Sequence, residues 1–327
     1  MGLDLLAATF ILNEHKYRPI KGRILTIGRQ SIGLTAAQMD RLLKVYGIPK
    51  RRGHVYRPEG STVGVVRSSD MISQESFFGA FTDAEVRSID VSDYEDADIV
   101  CDLQGHVPKE LYENADFIYN GSCLDNIFDA PAAVRNMTRL LKKDGRVYHY
   151  EQGNSHPTAY LKYSADWFMD YYAINQFNDC KTYVCDKPVS LTIPLIPHRS
   201  GKPLNIGTAT PAIREHGIII YCFNPFVDNG SGCGYDCSSV EAVTRYEIHC
   251  IAEKGPDATS ERSPIQKHYR VDPEHKKISY DRVVRFNKSA RPLYSNPFPF
   301  NADRIPRIDS SDYPEVMKPV GIIPHHF

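Results

Sequence analysis

The segment 115–150, ADFIYNGSCLDNIFDAPAAVRNMTRLLKKDGRVYHY, constrains the fold more than any other part of the chain. Its hydrophobic period changes from strand to helix and back. A short apolar run (Phe117–Tyr119) reads as a buried strand and is followed by a polar turn, Asn120–Asn126. Apolar residues then recur at helical spacing over Pro131–Leu141, with proline at the start, where its missing N–H costs nothing. A Lys-Lys-Asp-Gly turn leads into a second strand, Arg146–Tyr150. A strand, a polar loop, a helix and a strand in that order form a parallel unit. Chemistry in such a unit belongs at the carboxyl end of the first strand.

The same alternation extends over 24–185. Short apolar runs at 24–28, 86–91, 98–103 and 180–185 read as strands. Helical periodicity covers Thr35–Tyr46 and Trp167–Ile174, and a leading helix is expected within 1–21. Residues 47–75 are polar and marked by Gly and Pro, which predicts a loop or lid. The expected fold is therefore an α/β sheet, mainly parallel and covered on both faces. Two β-rich runs, Gly217–Phe223 and Thr244–Ala252, are expected to close it as an antiparallel C-terminal strand pair. The expected organisation is an N-terminal helix and linker (1–22), a main domain (23–255) with inserted loops at 187–240, and a Pro-rich extension (256–327). From 287 onward prolines recur, so this tail is expected to wrap the surface or to dock on a protein partner or a second copy, outside the core.

A chain of 327 residues with a formal net charge of −1 carries no overall field toward nucleic acid or membrane. The Lys50-Arg51-Arg52 run reads as a solvated loop. No apolar run reaches the roughly 18 residues that span a bilayer, and the N-terminal segment lacks the basic region of a signal peptide; a cytoplasmic protein is expected. Eight cysteines are spread along the chain. Cys101, Cys185, Cys222 and Cys250 lie in or beside strands and read as small buried hydrophobes. Cys233 and Cys237 share a Gly-rich loop, but a zinc site needs two such pairs or tightly spaced histidines, so no metal is expected.

Several strand ends carry groups suited to one ligand. Gly28-Arg-Gln-Ser-Ile-Gly33 is a turn that lets backbone approach a ligand closely. Asp90 ends the next strand, where a carboxylate accepts the two hydroxyls of a ribose. Asp102 ends the third and suits an adenine amino group, and Asn120-Gly121-Ser122 ends the fourth. Together they point to an adenosine-containing cofactor. GRQSIG is not GxGxxG, which counts against a dinucleotide oxidoreductase.

With IGRQ at 27–30, Asp90-Val-Ser-Asp-Tyr94-Glu95, Cys101-Asp102-Leu103, Asn120-Gly-Ser-Cys-Leu-Asp-Asn-Ile-Phe128 and Leu161-Lys-Tyr163-Ser164-Ala165, the chain resembles class I S-adenosylmethionine-dependent methyltransferases over 24–185. More narrowly, it resembles a bacterial, glycan-associated group of them. The resemblance implies a Rossmann-like sheet and S-adenosylmethionine as cofactor, with Gly28, Gln30, Ser31, Asp90, Asp102, Asn120 and Gly121 binding it. It implies methyl transfer to a hydroxyl or amine of a small molecule or sugar. Where that group carries a leading Asp and a Glu-His pair, this chain has Asn120 and Asp125-Asn126, and asparagine takes no proton at neutral pH. Asp125 and His156 are the candidate bases, with Glu151 behind them; His149 and His156 are of a type that titrates near neutrality. The alternative is a chain that keeps the fold without catalysis and serves a binding or structural role in an assembly. Tyr160, Tyr163 and Trp167 read as core rather than as a sugar platform.

Overall fold

The computed structural model describes residues 2–59, 70–154, 159–187, 217–223, 245–266, 269–299 and 317–324. In chain order the elements are β1 (Gly2–Leu3), α1 (Leu5–Tyr17), β2 (Arg23–Ile27), β3 (Ser31–Ile32), α2 (Ala36–Tyr46) and α3 (Gln74–Gly79). There follow β4 (Glu85–Asp90), β5 (Ile99–Val100), β6 (Ala115–Gly121), α4 (Ala130–Leu140), β7 (Leu141–Gln152), α5 (Ala165–Ile174) and β8 (Asp179–Lys187). The last are β9 (Ile218–Phe223), β10 (Arg245–Glu253), α6 (Pro273–Lys288) and β11 (Met317–Ile323).

Helix starts follow local chemistry. Thr35 and Gln38 form a reciprocal capping box at α2, which stops at Gly47 in the left-handed conformation (φ 65°). Asp129 caps α4 and Asp272 caps α6, each with proline in the first turn. Helix α1 is apolar almost all round and is buried from Leu6 to Leu12.

These elements build a nine-stranded sheet in the order β11-β9-β8-β10-β7-β6-β2-β4-β5. Strands β5, β4, β2, β6 and β7 run parallel. Strand β10 runs antiparallel between β7 and β8. From β2 the chain builds outward through β4 and β5, then returns to lay β6 on the other side of β2. This is a Rossmann-like sheet, mainly parallel on one side and extended by antiparallel strands on the other. Side chains alternate between two cores: Ile118 and Val147 join α4, α5 and α6 on one face, while Phe117, Tyr119 and Tyr148 join α1, α2 and α3 on the other.

Three expectations change. The runs 217–223 and 244–252 do form strands, but they are not neighbours: β8 lies between them and each is antiparallel to it. The segment 47–75 is not loop to its end, because α3 begins at Gln74, and the helix goes on to bury Phe77 and Phe78 in the core that α1 and α2 share. The tail from 287 does not stay outside the core, and the helix before it is packed too. Helix α6 packs on α5 and β8, Tyr294 is buried, and β11 adds an edge strand to β9 whose Pro319 and register shift suit an edge.

A buried ion network fastens this segment to the body. Arg291 Nη1 donates to both oxygens of Glu14 (2.7 Å each) and Nη2 to Glu253 (2.8 Å), while Nε pairs with Asp179 (2.6 Å). Arg146 donates to Glu14 Oε2 (2.9 Å) and to the carbonyls of Glu14 and Arg18 (2.8 and 2.7 Å). The Arg146, Arg291 and Glu14 side chains are at most 6 % exposed. Removing one member of such a cluster leaves buried charge uncompensated, at a cost of roughly 3–5 kcal/mol. Arg291→Ala is therefore expected to lower the unfolding free energy by that amount, read as a lower urea midpoint at unchanged slope. Arg291→Lys should recover only part of it, since one ammonium cannot serve three carboxylates as a guanidinium fork does. An unchanged midpoint in Arg291→Ala would refute the network's role.

Candidate functional site

Strand order reverses between β2 and β6, and in open α/β sheets the crevice outside the carboxyl ends at such a point receives the ligand. The pairings Ile27↔Asn120, Ile27↔Ile89 and Asp90↔Val100 align the carboxyl ends of β6, β2, β4 and β5. Gly28, Asp90, Asp102, Asn120 and Gly121 thus share one edge, as the sequence implies. Gly28 turns at φ 69° and donates its N–H to the Ile89 carbonyl (2.8 Å). Cys101 N–H donates to the Asp90 carbonyl (2.7 Å), which sets Asp102 beside Asp90. The Asp90 carboxylate accepts from Val91 N–H (2.6 Å), and that of Asp102 from Gln104 N–H (2.9 Å).

Gln30 is fully buried. Its Nε2 donates to the carbonyls of Ile27 and Gly28 (2.7 and 3.3 Å), and its N–H is received by Gln74 Oε1 (3.0 Å) from α3. Gln30 Oε1 has no hydrogen-bond partner among the described residues. Gly121 is needed where it stands: a Cβ there would lie 2.5 Å from Gln30 Oε1 and 2.7 Å from the Tyr119 ring. Ser31, expected at the cofactor, is buried in β3, whose backbone pairs with Gly2 in β1.

Asn120 departs from a simple ligand-facing role. It is fully buried, and its Nδ2 donates to His149 Nδ1 (3.0 Å) and Glu151 Oε1 (2.5 Å). Because Nδ1 accepts, the His149 proton sits on Nε2 and is shared with the Tyr172 hydroxyl (2.5 Å). Asn120 Oδ1 is left without a partner among the described residues. Glu151 also accepts from Leu124 N–H (3.2 Å) and Asp125 N–H (3.1 Å), so one buried carboxyl orients the loop after β6. Burial, and then the Asp125 carboxylate, push Glu151 well above the usual carboxylate range, while these donors hold it down.

Asp125 is itself buried (1 % exposed), with Oδ2 accepting from Ser122 Oγ (2.5 Å) and Oδ1 from Asn126 Nδ2 (2.6 Å). Ser122 adopts the left-handed conformation (φ 57°), unusual for serine and found here at the lip of the crevice. His156 lies outside the described residues, as do Cys233 and Cys237. His149 does not titrate near neutrality: burial depresses it to about 3. Tyr163 and Trp167 pack against Phe168 as expected, but Tyr160 is exposed. Sequence reasoning missed Gln74 and Tyr172, since nothing local marks a helical glutamine or a core tyrosine as support for a turn far away in sequence. Among the described residues no group of His, Cys, Asp and Glu could hold a metal ion, and no helix is long and apolar enough to cross a membrane.

No family model matches the sequence, and no curated protein matches it. Solved structures similar to the chain include phosphoethanolamine N-methyltransferase 2 from Haemonchus contortus with S-adenosylmethionine (13 % identity, 76 % of this chain and 52 % of that one, TM-score 0.35). They include the YcgJ protein of Bacillus subtilis (12 %, 76 % and 98 %, 0.38). A Zn-dependent alcohol dehydrogenase from Rhodobacter sphaeroides is also similar (15 %, 45 % and 46 %, 0.25). The chain spans about half the length of the first and last of these. The strand order, rather than these likenesses, carries the fold assignment.

His149 gives the site a pH signature. Below pH 6.5 the unfolded imidazole takes a proton that the folded one refuses, so stability falls with pH until about 3. The slope from one such group approaches ~1.4 kcal/mol per pH unit. Melting temperatures of wild type and His149→Gln between pH 7 and 4 should show a shallower fall in the variant. Parallel curves would place His149 in a wetter setting.

Proposed function

We propose that the chain binds S-adenosylmethionine at the carboxyl edge of β2, β4, β5 and β6 and transfers its methyl group to a hydroxyl or amine of a small molecule or sugar. The observation that carries this reading is the placement of the Gly28 turn and Asp90 on adjacent strands at the point where strand order reverses. The residues present fit the cofactor. Asp90 offers carboxylate oxygen to ribose hydroxyls, Asp102 lies beside it for an adenine amino group, and exposed Val91 offers an apolar face for the base. Gln30 Oε1 and Asn120 Oδ1 are buried acceptors without partners, on the two central strand ends, in keeping with a ligand that carries positive charge.

Bound there, the sulfonium supplies a methyl group for in-line displacement. The chain contributes position and orientation, the larger part of such a reaction. A hydroxyl acceptor must also lose a proton. Asp125, held by Ser122 and Asn126, is the candidate acceptor of that proton among the described residues.

One observation favours a second reading, a fold kept for binding in an assembly. Asn120 and Asn126 stand where the resemblance has groups that carry charge, and both give their amides to internal carboxylates. Titration calorimetry with S-adenosylmethionine and its demethylated product tests the shared first step. Saturable binding is expected, weakened 10-fold or more in Asp90→Ala. No heat at millimolar ligand would overturn the cofactor assignment. Binding without methylation of any hydroxyl or amine acceptor would leave the second reading.

A further inference from the structure

The basic run at 50–52 is exposed, yet the segment it opens is tied down. Segment 51–57 is strapped across α3 at both ends. At one end Arg51 N–H donates to the Ala80 carbonyl (2.8 Å), and Arg51 Nη1 to the carbonyls of Gly79 and Thr82 (3.3 and 2.9 Å). At the other, Arg57 N–H donates to Ser76 Oγ (2.7 Å) and the Arg57 carbonyl accepts from Ser73 N–H (2.9 Å). Gly53, at φ 76°, turns the strap between them. Strap and helix enclose a cleft of about 450 Å³, lined by Arg51, Arg52, Arg57, His54, Glu75 and Ser76 among others.

The charge in this cleft is unbalanced. Glu75, the one carboxylate in its lining, pairs with Arg29 (3.3 Å), which also pairs with Glu59 (2.7 Å). Arg52 and Arg57 have no carboxylate partner among the described residues. Arg51 is held by carbonyl oxygens, which leave its positive charge in place. His54 Nε2 is enclosed and has no hydrogen-bond partner. The chain as a whole carries −1, so a cleft with three guanidinium groups is a local concentration of charge rather than part of a basic surface. Guanidinium forks match phosphoryl oxygens in pairs, and a phosphate ester brings close to two negative charges to one point. The volume is that of a small-molecule site, larger than a bare phosphate needs. The cleft adjoins the Gly28 turn through Glu75 and Arg29, but its arginines belong to the strap that Ser76 holds, whereas Gln30 is supported by Gln74 of the same helix.

We propose that this cleft is a second ligand site, which binds a phosphorylated small molecule through Arg51, Arg52 and Arg57. It requires no covalent step and does not depend on the methyl-transfer reading.

Calorimetry with inorganic pyrophosphate as probe tests it on the full chain. One saturable site is expected, with affinity falling as salt rises. Arg52→Ala/Arg57→Ala should weaken it 10-fold or more, while Lys276→Ala/Lys277→Ala, which removes the same charge from the exposed face of α6, should leave it within 2-fold. Both arginine side chains are exposed, so the double variant should keep the wild-type melting temperature. Absence of saturable binding at millimolar pyrophosphate, or equal affinity in the arginine variant, would overturn the site. Citrate binding as tightly as pyrophosphate would overturn the phosphoryl assignment. S-adenosylmethionine titrated into the same variant separates the two sites: its affinity should not change.

Discussion

Glu14 is the residue on which the assembly turns. Its carboxylate lies near the end of α1, almost without solvent, and receives guanidinium groups from β7 and from the segment after α6. A lone buried carboxylate would cost several kcal/mol. Two arginines and the carbonyls around them make the position tolerable, and in doing so they tie α1, the centre of the sheet and the C-terminal segment into one body. With α1 seated, Phe10 packs beside Tyr148, Tyr183 and His249, and one face of the sheet is closed. Rigidity at the amino edge of the sheet is what lets the carboxyl edge hold its loops in fixed positions.

At that carboxyl edge the same economy of polar groups recurs in reverse. Asn120 gives both amide hydrogens inward, to His149 and Glu151, and Glu151 gathers the backbone of the loop after β6. Donors are spent on structure, and two acceptors, Gln30 Oε1 and Asn120 Oδ1, are left over. Buried acceptors without donors are uncommon in folded chains. Both lie at the end of the sheet where strand order reverses.

Much of this was legible in the sequence because the signals were local. The change of period over 115–150 placed β6, α4 and β7 within a few residues, and Thr35 with Gln38 and Gly47 marked both ends of α2. Strand-end residues Gly28, Asp90 and Asp102 could be assigned to one edge because parallel strands put all their carboxyl ends together. What could not be read was long-range. The order β9-β8-β10 depends on which strand is inserted between which, and no residue in those strands encodes it. Strand β11 holds Pro and Gly, so its propensity reads as tail; pairing with β9 overrides that. Ser31 looked free for a ligand because its partner, Gly2, lies at the other end of α1. His149 carries the residue type of a titrating group, and only its burial removes that behaviour.

The distance along the chain between Glu14 and Arg291, 277 residues, sets an order of events. A chain emerging from the ribosome has α1, the parallel strands and the crevice residues long before it has Arg291. Until then Glu14 has only Arg146 to answer its charge, and Asp179 and Glu253 lack their shared cation. Closing so long a loop is slow, and chains of this size pass through partly folded states on the way. The N-terminal helix can settle fully only after α6 has been made. The Glu14 cluster is therefore completed late: until the segment after α6 exists, α1 is fastened to the sheet without Arg291.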